Sequence, residues 1–197
     1  MCKTKILKAK ESDSTSIARL HKLGISEGFL SKQSDYFLGE LYRYLIKNEI
    51  LFIAKTDDTV VGFVAGTITT SGLYKKFLRT NKSLLLKFAL KNMFSLEFIK
   101  KSFETLTAPS KTSLNSDVDL PELLSIVVDS SFAGKGTGQR LVQALDGEFK
   151  RLGIKKYKVL VGSQLQANSF YQKNGFIKNS EVELHKGDIS NIYIKDL

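Results

Sequence analysis

Residues 122–142, ELLSIVVDSSFAGKGTGQRLV, decide how this chain folds, because they join an apolar strand to a helix through a glycine-rich loop. Glycines at 134, 136 and 138 allow a tight turn and expose successive backbone N–H groups. The start of the helix adds its own unpaired amides and the positive end of its dipole. The stretch therefore predicts a backbone cradle for an anion such as a pyrophosphate.

The loop departs from two well-known phosphate-binding patterns. The P-loop requires Gly-x-x-x-x-Gly-Lys-Ser/Thr, whereas Lys135 precedes Gly136 here. The dinucleotide-binding fingerprint requires Gly-x-Gly-x-x-Gly, whereas the spacing here is Gly134-x-Gly136-x-Gly138, late in the chain. Taken alone, the glycines fit a flexible strand-to-helix turn at least as well as an anion site.

A second motif, ANSFYQKNGF over residues 167–176, follows the next predicted strand. With this motif the chain resembles the GNAT superfamily of acyl-CoA N-acyltransferases. The family pattern Gln/Arg-x-x-Gly-x-Gly/Ala is matched at Gly136 and Gly138, and the pattern Phe-Tyr-x-Lys-x-Gly-Phe is matched over residues 170–176. The chain departs from the family at Ala133, where Gln or Arg is usual, and at Gln164, where Asn is frequent.

The resemblance implies roles in acyl transfer from acetyl-CoA. Tyr171 is the implied general acid for the departing thiolate, and a phenol with a pKa near ~10 stays protonated at neutral pH. Backbone N–H groups near Val127 and Val128 are implied to polarise the thioester carbonyl, because strand pairing is interrupted there. Glu122 is the candidate base, with a solvated strand-start acid as an equal alternative. Asp129 ranks lower, because its charge would oppose the pyrophosphate.

The resemblance also places the co-substrate, acetyl-CoA, along this strand, the loop and the helices that follow. Since backbone amides carry the phosphate contacts, Ala133 should weaken the site without abolishing it. Asn168 either contacts the cofactor or is a helix-surface amide. The cofactor-binding set implied in this way is Ile126, Val127, Val128, Ala133, Gly134, Lys135, Gly136, Thr137, Gly138, Gln139, Gln164 and Asn168. No metal is expected, and the single cysteine, Cys2, excludes a Cys-based zinc site.

Family members form the acceptor site from the loop between the first two helices and from the terminal hairpin, here residues 24–35 and 181–190. Glu27, Phe29 and Tyr36 are the candidate acceptor-binding residues. The pattern EGFLS at residues 27–31, followed by a helix, is similar to bacterial members that act on small-molecule or surface-sugar amines. We expect direct acetyl transfer to a primary amine of a small molecule such as an amino sugar. The alternatives are a protein lysine or N-terminal acetyltransferase and a non-catalytic CoA-binding module.

Chain length and the distribution of charge predict the domain organisation and a basic segment. The 197 residues suit one domain spanning 1–197, and the formal net charge is +10. Residues 74–102 hold eight Lys or Arg against one Glu, mixed with apolar residues at helical spacing, which predicts a basic helical insertion over about 73–106. A solvated face is the first interpretation of this charge, contact with anionic lipid or a phosphorylated substrate the second, and nucleic acid the last. We expect a cytoplasmic protein, with the inner membrane face as a candidate contact.

Hydrophobic patterning outlines the rest of the fold. It predicts a strand at residues 5–8, helices around 17–25 and 36–48, and a hairpin at 50–54 and 60–68. After the central unit come a strand at 157–161, a short helix at 164–173 and a hairpin at 182–185 and 192–194. This order predicts a mixed α/β fold, with a mostly antiparallel, twisted sheet of about six to seven strands and flanking helices. His21 and His185 have no acidic partner nearby in the sequence and are expected to be structural.

Overall fold

The computed structural model describes residues 3–26, 30–81, 120–185 and 188–197, and in this part of the chain seven strands form one sheet. The spatial order is β1-β2-β3-β4-β5-β7-β6, with antiparallel neighbours except for the parallel pair β4 and β5. The mixed, mostly antiparallel sheet is therefore confirmed. The strands are β1 (Lys5–Lys8), β2 (Ile50–Thr56), β3 (Thr59–Thr67), β4 (Glu122–Val128), β5 (Lys156–Gly162), β6 (Ile177–His185) and β7 (Asp188–Asp196).

Five helices of the described residues cover the two faces of the sheet. They are α1 (Ser14–Gly24), α2 (Asp35–Asn48), α3 (Leu73–Thr80), α4 (Thr137–Arg151) and α5 (Ala167–Lys173). Alternation along β3 assigns each helix to a face, since successive side chains of a strand point to opposite sides. Phe63 and Ala65 pack in the core with α1, α2 and α3, whereas Val64 packs with α4 and α5.

The helix α3 begins at Leu73, the first residue of the predicted basic insertion, and is the described part of that segment. Phe77 is fully buried and meets the ring of Phe37 edge-on, with 5.5 Å between ring centroids. The remainder of the predicted insertion, residues 82–106, lies outside the described residues, and so does the predicted lipid contact. Among the described residues, no helix combines the length and apolar character needed to cross a membrane.

Strand β4 has an irregularity on each edge. On the β3 edge, Ala65 pairs with Ser125 and Gly66 pairs with Leu123, so Leu124 is an extra residue in a β-bulge. On the other edge, the register of the fully described strands β4 and β5 contains one Cα pair, Glu122 with Lys158. The two parallel strands therefore meet at the start of β4 and part beyond it, which splits the sheet.

Candidate active site

The split exposes backbone donors of β4. The N–H of Asp129 donates to the carbonyl oxygen of Val61 at 2.8 Å, which sets the phase of pairing between β3 and β4. Because N–H groups alternate between the two edges of an antiparallel strand, that of Val127 faces β3, whereas those of Ile126 and Val128 face the split. The phase favours Ile126 and Val128, rather than Val127, as the donors available to a ligand between β4 and β5.

The glycine loop forms an open concave backbone surface beside these donors. Gly134 and Gly136 have φ angles of 71° and 75°, a left-handed region that disfavours other residues. A Cβ built on either glycine has no atom within 4 Å, so the loop is open on that side. Gly136 precedes α4, whose first N–H groups lack acceptors within the helix. These features fit a diphosphate held by backbone amides.

The other loop residues shape this surface or remain exposed. Lys135 is exposed and its Nζ donates to the carbonyl oxygen of Ser131 at 2.8 Å, while Ala133 and Gln139 are also exposed. Asp129 accepts hydrogen bonds from the hydroxyl and the backbone N–H of Ser131, which lower the pKa of its carboxyl. Asp129 therefore builds the turn before the loop, which disfavours it as a base.

Gly138 and Thr137 serve packing at the start of α4. Thr137 is buried, and a Cβ on Gly138 would lie 3.0 Å from the ring of Phe170 in α5. A separation of this size is closer than ordinary contact, so the absence of a side chain at 138 lets the two helices approach. The second glycine of the motif thus brings the loop and α5 together.

Tyr171 of α5 lies in the same apolar cluster as Ile126 and Val128. Its ring makes edge-to-face contacts with Phe170 and Phe176, each with 5.3 Å between centroids. The side chain is almost fully buried, and this burial raises the pKa of its hydroxyl above the usual value. Tyr171 therefore carries its proton throughout the physiological pH range, as a general acid must.

Asn168 uses its side-chain amide within the protein. Its Nδ2 donates to the carbonyl oxygen of Gly162 at 2.9 Å, and its Oδ1 accepts from Asn191 Nδ2 at 2.8 Å and from the Tyr193 hydroxyl at 3.1 Å. These bonds fasten α5 to β5 and β7, which supports the structural alternative. Gln164 is exposed in the turn after β5. Cofactor contacts by Asn168 and Gln164 stay predictions.

Glu122 is a buried carboxylate at the point where β4 and β5 meet. Its side chain is 16% exposed, and its Oε2 lies 3.8 Å from the Nζ of Lys158, whose side chain is 10% exposed. Burial raises the pKa of Glu122 to about 7, although the charge of Lys158 opposes the shift. Glu122 is therefore not the solvated strand-start acid, and its carboxyl can gain or lose a proton near neutral pH.

Glu122 lies on the face of the sheet that α1, α2 and α3 cover. Its partner across β3 is Thr67, and its charge adds to burial in raising the pKa of Tyr74 in α3. The carboxylate and the cluster around Tyr171 thus belong to opposite faces, with the split between them.

The predicted acceptor residues are only partly placed. Tyr36 is the second residue of α2 and is 54% exposed. Glu27 and Phe29 lie outside the described residues. Lys158 was not among the predicted site residues. Its position between two neighbours that are buried on one face, Tyr157 and Val159, is the signal that could have identified it, because Lys158 then points to the other face.

Split parallel strands, a glycine loop that opens a helix and a buried tyrosine on the next helix are the features that the resemblance implies for an acyltransferase that takes an acyl-CoA. The family model described as the acetyltransferase (GNAT) domain matches residues 112–191 of the chain. This part of the chain is therefore an acetyltransferase (GNAT) domain.

Solved structures share the fold over nearly the whole chain. An N-acetyltransferase from Staphylococcus aureus Mu50 is 17% identical, with a TM-score of 0.63 and 98% of each chain covered. PaiA N-acetyltransferase from Thermoplasma acidophilum, in complex with coenzyme A, is 15% identical, with a TM-score of 0.56 and 99% of each chain covered. The ribosomal-protein-S18-alanine N-acetyltransferase from Escherichia coli is 10% identical, with a TM-score of 0.59, covering 98% of this chain and 94% of its own. No curated protein sequence matches the chain.

Proposed function

We propose that the chain transfers an acetyl group from acetyl-CoA directly to a primary amine of a small molecule. The observation that carries this proposal is the buried carboxylate of Glu122 beside the split, with a pKa of about 7. A carboxylate of this kind is partly ionised at neutral pH and can accept the proton that an ammonium acceptor must lose. Without the Glu122 carboxylate, this position would offer no group that could accept the proton.

Each step of the proposed reaction is assigned to a group of this chain. Bound acetyl-CoA supplies the thioester whose acyl group is transferred. Glu122 takes a proton from the acceptor ammonium, directly or through water, so that the nitrogen lone pair becomes available. The N–H groups of Ile126 and Val128 donate to the thioester oxygen as negative charge develops on it. Tyr171 donates its proton to the departing sulfur, and its raised pKa ensures that the proton is present.

Two features support a small acceptor. The Glu122 side chain is only 16% exposed, which limits the size of a group that can approach its carboxylate. Helix α3 also packs on this face, with Tyr74 close enough to Glu122 for the carboxylate charge to raise its pKa. An amino sugar is one acceptor of suitable size. A protein N-terminus is the second candidate, because one structural neighbour is a ribosomal-protein alanine N-acetyltransferase.

An acceptor panel separates these candidates. Purified protein is incubated with acetyl-CoA and each of glucosamine, ethanolamine, a peptide with an N-terminal alanine and a peptide with an internal lysine. Products are identified by mass spectrometry. We expect acetylated glucosamine or ethanolamine. Products from the peptides alone would favour the protein acceptor instead, and a panel with no product at all would contradict the proposal.

Two substitutions test the assigned roles. Tyr171→Phe should lower kcat by about 100-fold or more while the Kd for CoA, measured by calorimetry, stays unchanged. Glu122→Gln should lower kcat/KM and remove the rise of kcat/KM with pH near 7. Glu148→Gln is the matched control, because the Glu148 side chain is also 16% exposed but pairs with Arg151 on α4. An unchanged pH profile in the Glu122 variant would reject Glu122 as the base.

A further inference from the structure

A chain of three hydrogen-bonding side chains runs from the core to the acceptor face of β4. His21 of α1 and Tyr42 of α2 are almost fully buried, and His21 Nδ1 lies 2.6 Å from the Tyr42 hydroxyl. That hydroxyl lies 3.4 Å from the Oγ of Ser125 on β4. Since Ser125 is only partly buried, the chain connects a buried imidazole to a hydroxyl at the surface of the site.

The hydrogen bonds that link His21, Tyr42 and Ser125 have one favoured direction of donation. Burial lowers the pKa of His21 to about 4, so the ring is neutral at pH 7 and carries one N–H. Among the described residues, His21 Nε2 is buried without a hydrogen-bond partner. A buried N–H without an acceptor is rarer than a buried lone pair without a donor, which favours the tautomer that carries the proton on Nδ1. His21 then donates to Tyr42, and Tyr42 donates to Ser125.

This direction determines what Ser125 can offer. Its Oγ accepts the proton of Tyr42, so its own O–H points to a partner outside the chain of three. Ser125 is next to the bulged Leu124 and lies between Glu122 and the backbone donor Ile126 along β4. Its contact with Tyr42 places it on the face covered by α1 and α2, the same face as Glu122. Ser125 thus places a hydroxyl on the same face of β4 as the proposed base, three residues further along the chain.

We propose that Ser125 is a specificity-determining residue that donates a hydrogen bond to an oxygen atom of the acceptor, a few bonds from its amine. The inference rests on the proposed acetyl transfer and narrows the acceptor to amino alcohols, which include amino sugars. A site that holds such a donor discriminates against an amine without the oxygen, because the donor is then left unpaired. Tyr42 and His21 are positioning residues that hold the Ser125 hydroxyl in this orientation.

Paired amines test the specificity directly. We compare kcat/KM for ethanolamine with that for propylamine, which replaces the hydroxyl by a methyl group. Wild-type protein should prefer ethanolamine by about tenfold, the value of one neutral hydrogen bond. Ser125→Ala should abolish the preference, and Tyr42→Phe should reduce it while keeping the ring that contacts Phe63. Tyr44→Phe, on the same helix, is the control and should keep the full preference.

The cycle of Ser125→Ala and Tyr42→Phe shows whether Tyr42 acts through Ser125. The effect of Tyr42→Phe on the preference should disappear in the Ser125→Ala background, whereas additive effects would refute the positioning role. Equal kcat/KM for the two amines in wild type would overturn this inference but leave acetyl transfer standing. If peptides are acetylated and neither of the two amines is, the assignment of an amino-alcohol acceptor would be overturned.

A second measurement does not depend on turnover. The chain has two histidines, so ¹⁵N spectra of the wild type and of His185→Gln assign the ring nitrogens of His21. The inference requires the proton of His21 on Nδ1 at pH 7, and Tyr42→Phe should change that nitrogen's shift. A proton on Nε2 would reverse the direction of the chain and refute the donor role of Ser125.

Discussion

Glu122 and His21 are expected to give opposite pH dependence to the stability of the protein. The pKa of Glu122 rises from 4.5 to about 7 on folding, so the folded state holds a proton that the unfolded state has lost between these values. The free energy of unfolding therefore falls as pH rises through this window. The pKa of His21 falls from 6.5 to about 4, so the unfolded state holds the extra proton and the free energy of unfolding rises with pH.

The two effects are of similar size. A tenfold change in proton affinity corresponds to about 1.4 kcal/mol, so each group contributes about 3 kcal/mol over its full window. The windows overlap between pH 4.5 and 6.5, where the two slopes cancel in the wild type. Glu122→Gln should reveal the His21 slope, a gain of about 1.4 kcal/mol for each pH unit. His21→Gln should reveal the opposite slope from Glu122.

Urea unfolding at half-unit steps from pH 4.5 to 6.5 measures these slopes. The quantity compared is the free energy of unfolding of each variant minus that of the wild type, which removes the titrations that all proteins share. Plotted against pH, this difference should rise for Glu122→Gln and fall for His21→Gln. For the double variant that combines Glu122→Gln with His21→Gln, it should stay nearly constant. Two flat lines would refute the reasoning, because they would mean that neither group changes its pKa on folding.

Three further substitutions probe the loop and the core. Gly136→Ala should cost about 1–2 kcal/mol, because its φ is 75°, and should raise the Kd for CoA measured by calorimetry. Gly147→Ala in the middle of α4, where a Cβ meets no atom within 4 Å, should instead stabilise the protein by about 1 kcal/mol in urea unfolding. Asp146→Ala should cost about 2–3 kcal/mol, because Asp146 accepts from the Tyr157 hydroxyl at 2.6 Å and pairs with Lys195 at 2.7 Å. A melting temperature unchanged by Asp146→Ala would show that this cluster contributes little.

Most of the fold could be predicted from the sequence because the decisive segments have strong local signals. The apolar strand predicted within residues 122–142 is present as Glu122–Val128, and its apolar run gives it a strong local signal. The terminal hairpin was predicted too short, and its strands are Ile177–His185 and Asp188–Asp196. Its outer residues are polar, and their pairing across the hairpin leaves no hydrophobic alternation in the sequence to reveal the full length.

The candidate site could be predicted only where its residues lie close together in the sequence. Tyr171 and the glycines lie in short motifs, so their types and spacing identify them. The chain of His21, Tyr42 and Ser125 joins residues separated by 21 and 83 positions, and no local pattern connects them. The burial of Glu122 also depends on Lys158 and on α3, which only the tertiary structure brings to β4.

The single pair between β4 and β5 gives this sheet an unusual kind of edge. Exposed strand edges normally lie at the rim of a sheet, where they recruit other chains and promote aggregation. Here an edge with free donors is enclosed between two strands of the same molecule, so a polypeptide of full width has little access to it. A narrow, unbranched arm that carries amide groups can occupy this place like a short additional strand.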